Sequence, residues 1–190
     1  MIEDKYYSGV GSRETPPDVC SKMTKLATSL EDNGYILRSG RARGADISFE
    51  IGVRSMYNKR IYTNSYSDNG VIGIRSLSQD IIDSCIELVA KVHSNFSALA
   101  KNEYNLLLHA RNVLQVLGDD LKTRSKFTVC WTNGGQTIGG TATAIRISQM
   151  FDIPVINMGL LRLPGTGPDP RGQHHQRQRA PAAGLQPNLQ

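Results

Sequence analysis

Along residues 1–159 the chain alternates between two hydrophobic rhythms. Short runs of β-favouring residues lead into polar, glycine-bearing turns, and each turn leads into apolar positions at helical spacing. Lys5–Gly9 predicts the first strand. Thr15-Pro16-Pro17-Asp18 is a helix start, with proline where no donor is needed and an acid in the first turn. Val19, Met23, Leu26, Ala27 and Leu30 mark one face of that helix, which stops near Asn33-Gly34. Tyr35–Leu37 predicts the second strand, and Ala45, Phe49, Gly52, Val53 and Met56 a second helix. Lys59–Thr63 is the third strand. Asn64–Arg75 is rich in Ser, Asn and Gly, and a surface loop is expected there. Two helices follow, one striped by Ile81, Ile82, Cys85, Leu88, Val89 and Val92, the other over Glu103–Leu121. The second is apolar nearly all round and is expected to be buried on most sides. Lys126–Thr132 and Pro154–Met158 complete the strands, with a helix carrying Ala142, Ile145 and Met150 between them.

This alternation predicts an α/β fold: an open, mainly parallel Rossmann-like sheet with helices on both faces. Ligands of such sheets bind across the carboxyl ends of the strands, and all three glycine turns fall at that edge.

Each turn offers a candidate for anion binding. Gly9-Val10-Gly11-Ser12-Arg13 follows the first strand; its short glycine pattern is weak alone. Ser39-Gly40-Arg41-Ala42-Arg43-Gly44 leads into Ala45-Asp46, where a helix N-terminus presents unpaired N–H groups and its positive dipole end. There Asp46 either caps the helix or holds a ribose hydroxyl, and Gly40 and Gly44 either cradle a phosphate or only make a tight turn. The third turn, Asn133–Thr141, carries four glycines and ends in Gly139-Gly140-Thr141, giving several N–H donors and a hydroxyl. Within the apolar Glu103–Leu121 helix, Arg111 and Gln115 stand one turn apart and need partners. A buried arginine pairs with a carboxylate, here Asp46 or Glu50, or faces an anionic ligand.

Composition narrows the function classes. The formal charge is +5, but four arginines against one aspartate after Gly159 carry most of it. The basic pI of about 9.2 is therefore largely a property of residues 160–190, and weak evidence for a nucleic-acid face on the rest. That stretch holds five of the eight prolines and no aromatic, which predicts a low-complexity, disordered tail beside a domain over residues 1–159. Cys20, Cys85 and Cys130 are widely spaced, with no CxxC and no histidine cluster, so reduced thiols are expected and no metal site. The start lacks an apolar leader and no run approaches bilayer length, so a cytoplasmic protein with no membrane partner is expected.

Taken together, Gly9–Pro16, Ser39–Asp46 and Gly139–Arg146 resemble the SLOG superfamily, more narrowly its DprA-like (Smf-related) Rossmann-type members, often carried by phages and mobile elements. The likeness runs over about residues 5–159 and includes His109-Ala110-Arg111-Asn112 and Cys130-Trp131-Thr132. It implies a nucleotide-like or phosphate-bearing ligand, no bound cofactor, and a homo-oligomer, a dimer. It also implies a site made of Gly9, Gly11, Ser12, Arg13, Ser39, Gly40, Arg41, Gly44, Ala45, Asp46, Arg111, Gly139, Gly140 and Thr141. Members of the phosphoribohydrolase branch carry PGGxGTxxE. Here Gly139-Gly140-Thr141 is followed by Ala142-Thr143-Ala144 without the glutamate, so that hydrolysis is not implied. Arg41 also departs from the relatives, which usually have a small residue, often glycine.

Three functions follow in order: binding of a nucleotide-type or ADP-ribose-like ligand; N-glycosidic hydrolysis of a nucleotide, with Asp46 or Glu50 as candidate acids; and single-stranded DNA binding. The aromatic content of 6% leaves few stacking platforms for the last.

Overall fold

The computed structural model describes residues 4–160. At its centre lies β1, Lys5–Gly11, whose Tyr6–Val10 are all buried. The strand is covered on both faces, and its buried Ser8 hydroxyl donates to the Gln115 carbonyl at 2.7 Å. Around it stand β2 (Tyr35–Ser39), β3 (Lys59–Thr63), β4 (Val71–Gly73), β5 (Thr128–Trp131) and β6 (Val155–Asn157). All neighbours pair in parallel, in the order β4-β3-β2-β1-β5-β6. The fold is α/β, an open Rossmann-like sheet.

The chain builds outward from β1 to β4, then returns to pair β5 on the other side of β1. The strand order therefore reverses between β1 and β5, where open parallel sheets leave a crevice. Helices α1 (Pro17–Asp32) and α2 (Ala45–Gly52) pack on one face, around Tyr7, Met23, Leu37 and Phe49. On the other face lie α3 (Gln79–Val92), the short α4 (Phe96–Leu99), α5 (Glu103–Leu117) and α6 (Thr141–Met150). Their core includes Tyr62, Val89, Val113, Leu114, Leu117 and Ile147.

Three expectations about elements change. The Asn64–Arg75 stretch is not all loop: Val71–Gly73 forms the edge strand, paired with Ile61–Thr63. The second helix stops at Gly52 rather than Met56. The Glu31 carboxylate accepts the Arg54 and Ser55 backbone N–H groups at 3.0 and 2.9 Å, holding the chain in an extended exit. The fifth helix ends at Leu117, because Gly118 adopts φ 85°, a left-handed value that breaks the ladder. Apart from Leu160, the expected tail lies outside the described residues.

Candidate functional site

Beneath the crevice is a buried polar knot. Arg111 on α5 donates from Nη1 to the carbonyls of Gly40 and Tyr62 at 2.8 and 3.2 Å, and stands 3.9 Å from Asp46. The partner of the buried arginine is thus Asp46. Glu50 instead pairs with Arg41 Nε at 3.0 and 3.1 Å. Gln115, its amide turned to suit its neighbours, accepts from the Gly40 N–H at 2.9 Å and from Arg111 at 2.8 Å. A Cβ on Gly40 would lie 1.5 Å from Arg111 Nη1, so only glycine lets the guanidinium close on the strand end.

Asp46 does not cap α2. Gly44 occupies the N-cap, with no side-chain cap. The Asp46 Oδ1 instead accepts from the Gly11 backbone N–H at 3.1 Å, joining the second turn to the first. Burial pushes its carboxyl up to about 6, against the pull of Arg111 and of the Ala42, Gly11 and Gly40 backbone. Burial likewise lowers the Arg111 guanidinium, with Asp46 opposing. Further clamps join the same turns. The Ala45 N–H donates to the Ser12 carbonyl at 3.3 Å, and Ser39 Oγ donates to the Gly9 carbonyl at 2.7 Å. Gly44, at φ 86°, lies so close that a Cβ would approach Ser12 O to 2.4 Å. The α2 N-terminus is therefore packed on the first turn, with Asp46 under its dipole.

Above this knot opens a cleft of about 520 Å³. The first turn lines it with Gly11, Ser12 and Arg13, α5 with His109, Arg111 and Asn112, and the third turn with Gly139, Gly140 and Thr141. Asp46 reaches it from below. Gly40 and Arg41 line an adjoining smaller recess. Gly9, Ser39, Gly44 and Ala45 line neither and lie behind the wall.

The third turn is the open one. No atom lies within 4 Å of where a Cβ on Gly140 would sit. The Ala142 N–H is taken by the Gly139 carbonyl at 3.2 Å, whereas Gly140 and Thr141, whose N–H groups have no acceptor within the helix, line the cleft at the positive end of the α6 dipole. By contrast, α1 begins with Pro16 at the N-cap and Pro17 in its first turn, and neither has a donor. One helix holds the whole arrangement in place: Arg111 grips the second turn, and Asn112 Nδ2 donates to the Gly140 carbonyl at 3.0 Å.

Asn105, His109, Asn112 and Ile138 also line the cleft, beyond the residues the sequence points to. The polar breaks at His109, Arg111, Asn112 and Gln115 in an otherwise apolar helix were the available signal. His109 Nδ1 lies 2.6 Å from Thr143 Oγ1, and its ring meets His93 edge-on. Burial, then the His93 and Arg111 charges, pull it down to about 4, leaving a neutral imidazole on the cleft wall at physiological pH.

Among the described residues no three His, Cys, Asp or Glu side chains gather as a metal site requires. No described helix is long and apolar enough to cross a membrane. All three cysteines are free, and burial pushes the Cys85 and Cys130 thiols up to about 12.

No protein-family model matches the chain. No curated protein matches it either. Among solved structures it is similar to DNA processing protein A from Helicobacter pylori, in a study of that protein's single-stranded DNA binding mode. The TM-score is 0.51 at 16% identity, over 82% of this chain and 65% of that one. The chain thus spans under two thirds of that protein's length, and the likeness is one of fold. The Moco carrier protein of Chlamydomonas rheinhardtii gives a TM-score of 0.45 at 15% identity, over 82% of this chain and 76% of that one.

Proposed function

We propose that the crevice between β1 and β5 binds a nucleotide-type or ADP-ribose-like ligand by its phosphate, without turning it over. The observation that carries this is the open N-terminus of α6, with Gly139 and Gly140 facing Arg13 and Arg111 across one cleft. Exposed N–H groups at a helix start, with guanidinium groups opposite, suit a phosphate. The volume of about 520 Å³ falls within the roughly 300–1,000 Å³ of small-ligand sites. Ile138 and Leu108 add apolar wall for a base, and Asn105 and Asn112 add polar groups to orient it.

Binding is favoured over hydrolysis by the state of the two candidate acids. Glu50 is engaged by Arg41 and lines neither the cleft nor its recess. Asp46 lines the cleft but is committed to the Gly11 N–H and Arg111. A second reading, single-stranded DNA binding, draws support from the fold shared with DNA processing protein A. In the same proposal residues 1–159 form the binding domain, and the protein acts as a cytoplasmic dimer. The exposed apolar Ile47, Ile51, Met56 and Tyr57, on and just after α2, support the dimer.

Mass spectrometry of small molecules released from the purified protein tests the ligand class, with calorimetry on AMP and ADP-ribose beside it. A nucleotide-like species in the released fraction, or saturable binding of either compound, is the expected result. Failure of both refutes the proposal.

A further inference from the structure

We infer that an anionic ligand entering the cleft drives a proton onto Asp46, so that the buried Asp46–Arg111 pair works as a proton-linked latch and ligand affinity follows pH. The inference rests on the proposed phosphate binding and adds its regulation.

Arg111 has one positive charge and several claimants. Its Nη1 donates to the carbonyls of Gly40 and Tyr62 and to the turned amide of Gln115. Asp46 stands 3.9 Å away, beyond hydrogen-bond reach, so the two are held by charge and not by a shared hydrogen. The Arg111 Nε is buried and has no acceptor among the described residues. Both side chains line the cleft. A phosphate there brings a second negative charge to the same guanidinium and a like charge to a buried carboxylate, where little water screens it. A like charge nearby disfavours the ionised carboxyl, so the arriving anion draws in a proton.

The carboxyl is set to respond. Burial already pushes it up to about 6, which brings proton uptake within reach at neutral pH. One oxygen accepts the Gly11 N–H at 3.1 Å whether or not the other carries a hydrogen. Protonation therefore frees Arg111 for the ligand without untying the second turn from the first.

The other charged groups packed around Asp46 do not supply this response. In the first turn Arg13 lines the cleft and stays positive, and Glu14 is exposed. In the second turn Arg43 is exposed and lines neither space, and Arg41 pairs with Glu50 of α2. On α5 Tyr104 is 59% exposed, and His109, pulled down to about 4, is neutral at pH 5.5 and above. Affinity for an anion is thus highest at low pH and falls as pH rises through about 6. One proton limits that fall to about tenfold per pH unit, and it ends where pH passes the still higher value of the bound state.

Isothermal titration calorimetry of the full chain with ADP-ribose, at matched pH in buffers of different ionisation enthalpy, counts the protons taken up. Each phosphate of ADP-ribose holds one strongly acidic oxygen, so the ligand keeps a constant charge from pH 5.5 to 7.5. Wild type is expected to take up roughly half a proton near pH 7 and to lose about threefold or more in affinity between pH 5.5 and 7.5. Asp46→Asn, a mimic of the protonated acid, should take up none, bind with flat affinity, and at pH 7.5 bind at least as tightly as wild type. A merely structural Asp46 would instead leave the variant weaker at every pH. The wild-type proton count needs no variant and stands if Asp46→Asn melts early. AMP serves if ADP-ribose does not bind, the difference between wild type and variant cancelling the titration of its own phosphate. Uptake below about 0.1 proton on wild type, or the same fall of affinity with pH in Asp46→Asn, overturns the latch and leaves the proposed function standing. Failure of AMP and ADP-ribose alike at every pH removes both.

Discussion

Arg111 Nη1 lies 3.9 Å from the Asp46 carboxylate, and the two side chains are only 8% and 5% exposed. The pair is the pivot on which all three turns are hung, through Gly40, Gly11 and the α5 backbone. Removing one member of a buried pair strands the other and costs about 3–5 kcal/mol, whereas replacing both by neutral groups is often close to neutral. Arg111→Met is accordingly expected to lose roughly that amount in urea unfolding. The double variant Asp46→Asn/Arg111→Met should recover part of the loss. A cost below about 1 kcal/mol for Arg111→Met would make the pair a bystander.

The same pair shapes the pH dependence. Asp46 has its carboxyl raised from 3.8 to about 6 in the folded state. Stability from its protonation is therefore fully present below 3.8 and lost as pH rises through about 6. His109 opposes it: lowered from 6.5 to about 4, it contributes stability above 6.5 that is lost as pH falls through 4. At lower pH Glu31 takes over. Burial would raise its carboxyl, but hydrogen bonds from Ser55, Arg54 and Asn58 hold it at about 2. Wild type should thus be nearly flat in stability between pH 6.5 and 4 and lose stability below as Glu31 and Asp120, both held at about 2, protonate. Asp46→Asn lacks the compensating group and should lose stability over that window, the gap from wild type widening by on the order of 3 kcal/mol. Parallel curves for the two proteins would contradict the raised Asp46 carboxyl.

Two glycines separate folding from binding. A Cβ on Gly40 collides with Arg111, whereas one on Gly140, at φ −61°, meets nothing within 4 Å. Gly40→Ala is expected to cost about 1–3 kcal/mol, the usual range for overpacking. Gly140→Val should leave the melting temperature within a few degrees, as expected for an open surface position. It should also abolish nucleotide binding in calorimetry, because a branched side chain blocks approach to the α6 backbone. Retained affinity with Gly140→Val would place the phosphate elsewhere.

These two positions also show how far the sequence could be read. Strand–turn–helix order, the buried character of α5 and a polar partner for Arg111 all follow from periodicity and the cost of burying charge. The roles of the three turns do not. Whether a helix N-terminus is open depends on what the fold packs against it: Ser12 O against Ala45 N, and Asp46 against Gly11 N across 35 positions of chain. The edge strand Val71–Gly73 is not legible in sequence because three residues inside a polar stretch carry too little pattern, and its pairing to Ile61–Thr63 supplies the rest. The walls given by Asn105, His109 and Asn112 were visible only as interruptions in an apolar helix.

Arg41 sits at φ 57°, a conformation that suits glycine. Left-handed backbone costs an ordinary residue about 1–2 kcal/mol. Its ion pair with Glu50, from a half-exposed side chain, is worth about 0–1 kcal/mol. Glycine adds back roughly 0.5–1 kcal/mol of unfolded-state entropy, so the terms nearly cancel. Arg41→Gly is therefore expected to unfold within about 1 kcal/mol of wild type in urea. A larger loss would show that the Arg41–Glu50 pair, and not the backbone, sets the shape of the second turn.

Charge placement separates a small ligand from a nucleic-acid strand. A single strand neutralised along a basic track loses affinity by roughly 0.7 log unit per phosphate contact for each decade of salt. Arg13 and Arg111 line the cleft and Arg41 its recess, whereas Arg43 lines neither. Arg41 is already paired with Glu50, Arg111 is shared with Asp46 at 3.9 Å, and no acidic side chain bridges Arg13 among the described residues. Arg13 and Arg111 in the cleft suit one or two phosphates. Aromatic platforms are equally sparse, with Tyr104 the exposed ring on the recess. A chain ending at residue 160 is therefore expected to bind single-stranded DNA only in the micromolar range or weaker at physiological salt, with a slope worth about two contacts. Arg162, Arg171, Arg177 and Arg179 should account for much of any tighter binding by the full chain. Fluorescence anisotropy on both proteins across a salt series makes the comparison, with Arg13→Ala as the crevice control. Tight binding by the shorter chain, with a slope of about four contacts or more, would put single-stranded DNA ahead of the nucleotide as the ligand of this crevice.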